Sequence, residues 1–138
     1  MAAPTITQKA ERFLRSRWYK LDTAGTLSPA IAHQNWNSEF RLTAQMAQPV
    51  DPSVLQSAVD KTLPCFLSMP IRLKAGLFWY YFEENDARLV VQPTDGRLCH
   101  PFRKGENNVF LLRVLYDARS ISVEYFHAIT DGTGCMIF

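Results

Sequence analysis

The stretch from Val109 to Tyr116, VFLLRVLY, constrains the fold more tightly than any other part of the chain. Arg113 is its one charged residue. A strand with so little polar character has to be covered on both faces. Asp117 to Ser120 follows as a turn, and Ile121 to His127 (ISVEYFH) then alternates. The alternation places Ile121, Val123, Tyr125 and His127 on one side of a second strand. A hairpin of this kind needs layers packed against it. The chain has 138 residues, 47% of them hydrophobic and 20% charged, which is a globular composition with material for one domain.

The preceding segments supply such layers. Residues 8–17 read as a short helix, and Asp22 to Pro29 as a loop. Ser38 to Met46 alternates, with Phe40, Leu42, Ala44 and Met46 on one face of a half-buried strand that ends before Pro49. Asp51 is placed as an N-cap and Pro52 as the first helical residue, with Val54, Leu55, Ala58, Val59 and Thr62 recurring at helical spacing up to Pro64. Met69 to Leu73 and Leu77 to Phe82 form a hairpin about Lys74-Ala75-Gly76. Asn85-Asp86 turns the chain into a short strand, Arg88 to Gln92, ended by Pro93. Residues 93–108 read as a polar loop, and a helix begins just beyond Asp131-Gly132.

Composition excludes several functions. A net charge of +2 gives no footprint for nucleic acid. Lys9, Arg12, Arg15, Arg17 and Lys20, with Glu11 among them, read as a solvated helix face. No apolar run approaches the ~20 residues that span a bilayer, and the N-terminus lacks a secretory pattern. Cys65, Cys99 and Cys135 are odd in number and widely spaced, so free thiols in a reducing cytoplasm are expected, each a small buried hydrophobe. No metal site is expected, since there is no C-x-x-C pair and the histidines are scattered.

The chemistry concentrates in EYFHAITDGTG, Glu124 to Gly134, whose core is His127, Asp131 and Gly132 in an H-x-x-x-D-G pattern. An imidazole titrates near neutrality and can take a proton from a hydroxyl or amine. A His at a strand end beside a turn is both rigid and open to a cleft. Gly132 permits a turn that a side chain would block. Asp131 fixes the loop through an ion pair and need not touch the imidazole.

This pattern resembles the signature of the chloramphenicol acetyltransferase-like superfamily, which includes nonribosomal peptide condensation domains, plant acyltransferases and alcohol acetyltransferases. The usual form has two consecutive histidines. Phe126 stands in the first position here and His127 in the second, which is the catalytic one. The chain looks most like bacterial alcohol acetyltransferases. The segments that carry this are WYKLD (Trp18 to Asp22), Phe40-Arg41-Leu42, VDPSVLQSA (Val50 to Ala58), RLKAGLFWYYFEEN (Arg72 to Asn85), RVLY (Arg113 to Tyr116) and Ile121 to Gly134.

The resemblance implies an α+β fold, a mixed or antiparallel sheet with flanking helices, forming the N-terminal half of a two-lobed structure. Residues 1–138 would be that half, ending just after the motif, with the second half and its glycine-rich motif absent. It implies that His127 deprotonates an alcohol or amine, which attacks the thioester of acetyl-CoA or another acyl-CoA. Asp131 would be structural and paired with an arginine. Arg72 is the first choice for that arginine, and Arg41 and Arg113 are the others. A condensation-type domain that uses carrier-protein thioesters is the alternative, as is a non-catalytic binding domain of the same fold. The apolar run Met136-Ile137-Phe138 is expected to look for cover, from the missing half or by self-association.

The remaining residues of interest carry plainer expectations. Phe78, Trp79, Tyr80 and Tyr81 are expected in the core rather than in a substrate channel. Glu83 and Glu84 read as a solvated hairpin end, Thr133 has no support beyond its place near the motif, and His33 and His100 fall in surface loops.

Overall fold

The computed structural model describes residues 18–19, 39–75, 80–102, 105–130 and 132–138, with backbone alone at Trp18, Tyr19, Ala75 and Tyr80. The expected helix over 8–17 with its basic residues, the loop from Asp22 to Pro29, His33, Phe78, Trp79 and Asp131 lie outside the described residues.

The fold is α+β. A three-stranded sheet has the order β1-β4-β3 and a four-stranded sheet the order β2-β7-β6-β5. The strands are β1 (Trp18–Tyr19), β2 (Glu39–Gln45), β3 (Ile71–Ala75), β4 (Tyr80–Glu84), β5 (Gln92–Pro93), β6 (Leu112–Tyr116) and β7 (Ser120–Phe126). Helix α1 spans Pro52–Thr62 and α2 spans Gly132–Ile137. All pairings are antiparallel except that of β5 with β6. One core joins the elements. Val59 of α1, Ile71 and Phe82 of the small sheet, Leu112, Val114 and Tyr125 of the large one, and Cys135 of α2 all belong to it.

Several elements form as their sequences dictate. The Asp51 carboxylate accepts from the Ser53 and Val54 amides and caps α1, with Pro52 starting the helix. A 3-10 turn over Leu63–Cys65 closes it at Pro64. Strand β6 is buried from Leu112 to Leu115, as a strand of its composition requires. Asn85 Oδ1 accepts from the Ala87 amide at 3.2 Å, the turn its side chain favours.

Other expectations need correction. The strand expected over Arg88 to Gln92 is reduced to Gln92–Pro93, because the Gln56 side chain of α1 takes up the backbone before it. Gln56 Nε2 donates to the Leu89 carbonyl and Gln56 Oε1 accepts from the Val91 amide, both at 2.9 Å. The carboxamide thus fills the place of a neighbouring strand. Pro93 lies inside β5, which among the described residues is at the sheet edge, where a missing donor costs least. Strand β6 starts at Leu112 rather than Val109. Asn107, Asn108 and Val109 have φ of 50°, 50° and 64°, a left-handed turn that is strained at a β-branched residue. Side-chain amides hold that turn: Asn107 Nδ2 donates to the Leu112 carbonyl at 2.5 Å, Asn108 Nδ2 to the Arg88 carbonyl at 2.8 Å, and Asn85 Nδ2 to the Asn108 carbonyl at 2.9 Å.

Glu83 is no solvated hairpin end. It lies within β4 opposite Arg72 and accepts from it, with Arg72 Nη2 2.6 Å from its carboxylate. Of the cysteines only Cys135 is buried; Cys99 is half-buried and Cys65 exposed. No helix among the described residues is long and apolar enough to cross a membrane.

Candidate functional site

His127 lies one residue beyond β7, and the turn that presents it is pinned on both sides. The Ile129 amide donates to the Phe126 carbonyl at 3.0 Å, closing a turn with His127 and Ala128 in the middle. Phe126 and Ile129 are buried, whereas His127 and Ala128 are exposed. Two apolar anchors therefore hold a short bend whose polar residue faces outward.

Among the described residues the imidazole makes one hydrogen bond, Nδ1 to the Thr130 carbonyl at 3.3 Å. A carbonyl only accepts, so in this bond Nδ1 carries the hydrogen. The neutral ring then has its free lone pair on Nε2. The ring of Phe40 lies beside it, with centroids 4.7 Å apart and planes at 57°. Phe40 belongs to β2 and stacks in turn on Tyr125.

Of the other motif residues, Gly132 starts α2. A Cβ placed there would have Tyr125 Oη at 3.9 Å among the described residues, an ordinary contact. Cys135, one turn further on, is buried, and burial pushes its thiol up to about 11. Thr133 is exposed. The arginines considered for Asp131 all have another carboxylate: Arg72 binds Glu83, and Arg41 and Arg113 bind Glu124.

The Glu124 cluster is what sequence reasoning missed. Arg41, Glu124 and Arg113 are in register across β2, β7 and β6. Glu124 is fully buried, and its carboxylate receives Arg41 Nε at 2.9 Å, Arg113 Nη1 at 2.9 Å and the Cys99 amide at 2.7 Å. The same arginines bind the loop that covers this face. Arg41 donates to the Arg97 carbonyl at 2.8 Å, and Arg113 donates to the His100 carbonyl at 2.7 Å and to His100 Nδ1 at 3.1 Å. The Phe102 ring lies 4.0 Å from the Arg113 guanidinium carbon. His100 is therefore half-buried rather than a free surface residue. Desolvation, then the neighbouring Arg113 charge, hold its pKa below the ordinary value. Desolvation raises the Glu39 carboxyl on the same face, and among the described residues its Oε2 has no partner.

One signal could have found the cluster. An arginine in a strand buried on both faces requires a buried acid, and Glu124 is the acid on the adjoining strand. Its geometry is that of a clamp between sheet and loop, with the guanidinium and carboxylate groups occupied by one another. Among the described residues, no group of His, Cys, Asp and Glu is arranged to hold a metal ion. Compared with known proteins, the chain matches no family model, no curated protein and no solved structure.

Proposed function

We propose that this chain carries the general base of an acyltransferase, with His127 as that base and the α+β architecture as the first half of a two-lobed chloramphenicol acetyltransferase-like fold. The observation that carries the reading is the Nδ1 bond to the Thr130 carbonyl on an otherwise exposed imidazole. With Nδ1 donating to that carbonyl, Nε2 is the nitrogen that can accept the proton of a hydroxyl or amine. The order of elements, strand, helix, strands and then the motif, supports the fold assignment.

In this reading His127 Nε2 takes the proton of the acceptor as its oxygen or nitrogen attacks the thioester carbonyl of an acyl-CoA. The tetrahedral adduct collapses, the carbon–sulfur bond breaks, and the proton on Nε2 passes to the departing thiolate. Asp131 and Gly132 shape the turn and take no proton. The resemblance places the substrates in a tunnel between two lobes, so transfer is expected of the polypeptide that carries both.

The test is an assay of that polypeptide with acetyl-CoA and a panel of alcohols and amines, following thiol release. His127→Ala should lower turnover by roughly 10²–10⁴-fold. Near-normal turnover in the variant would remove His127 from the mechanism. A carrier-protein thioester offered in place of CoA separates the condensation-type alternative.

A further inference from the structure

We infer that Phe40 is a positioning residue for His127, whose ring fixes the plane of the imidazole and so the direction of Nε2. The inference rests on reading His127 as a base. Its geometric part can be tested without that reading.

The argument starts from what holds the imidazole. Its bond to the Thr130 carbonyl is 3.3 Å, long for a hydrogen bond. Among the described residues this is the ring's one hydrogen bond, and a single bond at Nδ1 would let the ring rock about the Nδ1–carbonyl line, which swings Nε2 through space. A second contact away from that line is needed to stop the motion. Phe40 supplies it at 4.7 Å between centroids, inside the ~4.5–7 Å range of aromatic contacts.

Phe40 is itself held. Its Cα is in register with Tyr125, within a β2–β7 ladder that runs unbroken from Glu39↔Phe126 to Gln45↔Ser120. Its ring stacks on Tyr125 at 6.1 Å with planes at 26°, and Tyr125 is 2% exposed. The three rings thus pass from the core, through a half-covered Phe, to the exposed imidazole. His127 is the diagonal cross-strand neighbour of Phe40, a spacing that aromatic side chains bridge.

Burial does not explain an aromatic at this position. Phe40 is 47% exposed and lies on β2, which among the described residues pairs only with β7. A smaller aliphatic residue would cover the same part of the core without exposing a ring. The contacts that an aliphatic residue cannot reproduce are those with the Tyr125 and His127 rings, and the second is the one that reaches the exposed imidazole.

The test uses the chain labelled with ¹⁵N and ¹³C at histidine and compares wild type, Phe40→Leu and Phe40→Tyr. Met46→Leu serves as a control just beyond the far end of the same strand. In wild type the His127 ring protons should show the shift of a nearby aromatic ring, nuclear Overhauser contacts to Phe40, and ring nitrogen shifts of the Nδ1–H tautomer. Phe40→Leu should lose the ring shift and mix the tautomers, while Phe40→Tyr and Met46→Leu keep both. Ring shift and tautomer unchanged in Phe40→Leu overturn the proposal. So does the absence of Phe40–His127 contacts in wild type, which needs no variant to fold. In the polypeptide used for the transfer assay, Phe40→Leu should lower kcat roughly 10–100-fold with little change in KM for the acyl donor, and Phe40→Tyr should restore it. Equal loss in both variants counts against positioning. A wild type that transfers no acyl group overturns the proposed function, while the magnetic resonance criterion still decides the role of Phe40.

Discussion

Arg113 and Glu124 face each other across the β6–β7 ladder, with Nη1 2.9 Å from Oε2 and side-chain exposures of 4% and 0%. The pair is sealed by the loop that the same two residues bind. Glu124 also accepts from Arg41, so its removal leaves two guanidinium groups without their anion. Loss of one member of a buried pair costs about 3–5 kcal/mol. Glu124→Ala should therefore unfold at much lower denaturant concentration than wild type, as followed by circular dichroism in urea. A midpoint within error of wild type would show that the cluster contributes nothing.

The same cluster sets a pH dependence through His100. Its pKa is lowered in the fold, by burial first and by Arg113 and Arg97 next, with Glu124 and Asp95 opposing. The neutral ring accepts from Arg113 through Nδ1, and protonation replaces that acceptor with a donor. The unfolded chain therefore binds the proton more readily. The stability this contributes is complete above the ordinary value of 6.5 and is lost as pH falls through the lower folded value. Glu39 acts in another window and in the opposite sense. Its raised pKa favours the fold below the ordinary 4.5, an advantage lost as pH rises through the folded value. Denaturation midpoints should decline on acidification below 6.5, and His100→Gln should flatten that decline. An identical slope in the variant would assign the effect elsewhere.

The carboxamide of Gln56 gives a third expectation. It serves the backbone on both sides of Val90, as donor to Leu89 and acceptor from Val91. Gln56→Leu keeps the bulk and leaves these groups without their partner, at a cost of about 1–3 kcal/mol. Amide exchange at Val91 should also accelerate in the variant. Exchange at the wild-type rate would mean that another group protects that amide.

Thiol reactivity separates the cysteines. Cys65 is exposed, Cys99 is half-buried with its pKa raised by desolvation and Glu124, and Cys135 is buried and pushed up to about 11. A disulfide reagent at neutral pH should modify Cys65 first, Cys99 slowly and Cys135 only as the chain unfolds. Peptide mapping of a timed reaction checks the order, and early labelling of Cys135 would contradict it.

The parts of the fold legible in the sequence are those with a strong local code. Asp51-Pro52 announces a helix start by chemistry that needs no distant partner, and the apolar run of β6 announces burial by itself. The structure departs where a distant side chain intervenes. Gln56 replaces a strand next to Leu89, and Asn85, Asn107 and Asn108 hold a left-handed turn where Val109 reads as strand. Alternation along β7 was a fair guide to sides and a poor one to depth. Ser122 and Glu124 are more buried than Ile121 and Val123, because a loop covers the polar face. At the site, His127 stands out as a residue type in a motif, but Phe40 has no local mark. Its relation to His127 exists only once β2 and β7 are paired.

The position of Pro93 has a consequence for how the large sheet can meet another chain. Strand β5 is short and contains a residue with no amide hydrogen, so the margin it forms cannot present an unbroken row of donors. That side of the sheet is terminated chemically. Among the described residues the opposite margin is β2, which has no such stop in its seven residues. Of the two margins that the described strands form, β2 is the one whose backbone could take an added strand, alongside Phe40.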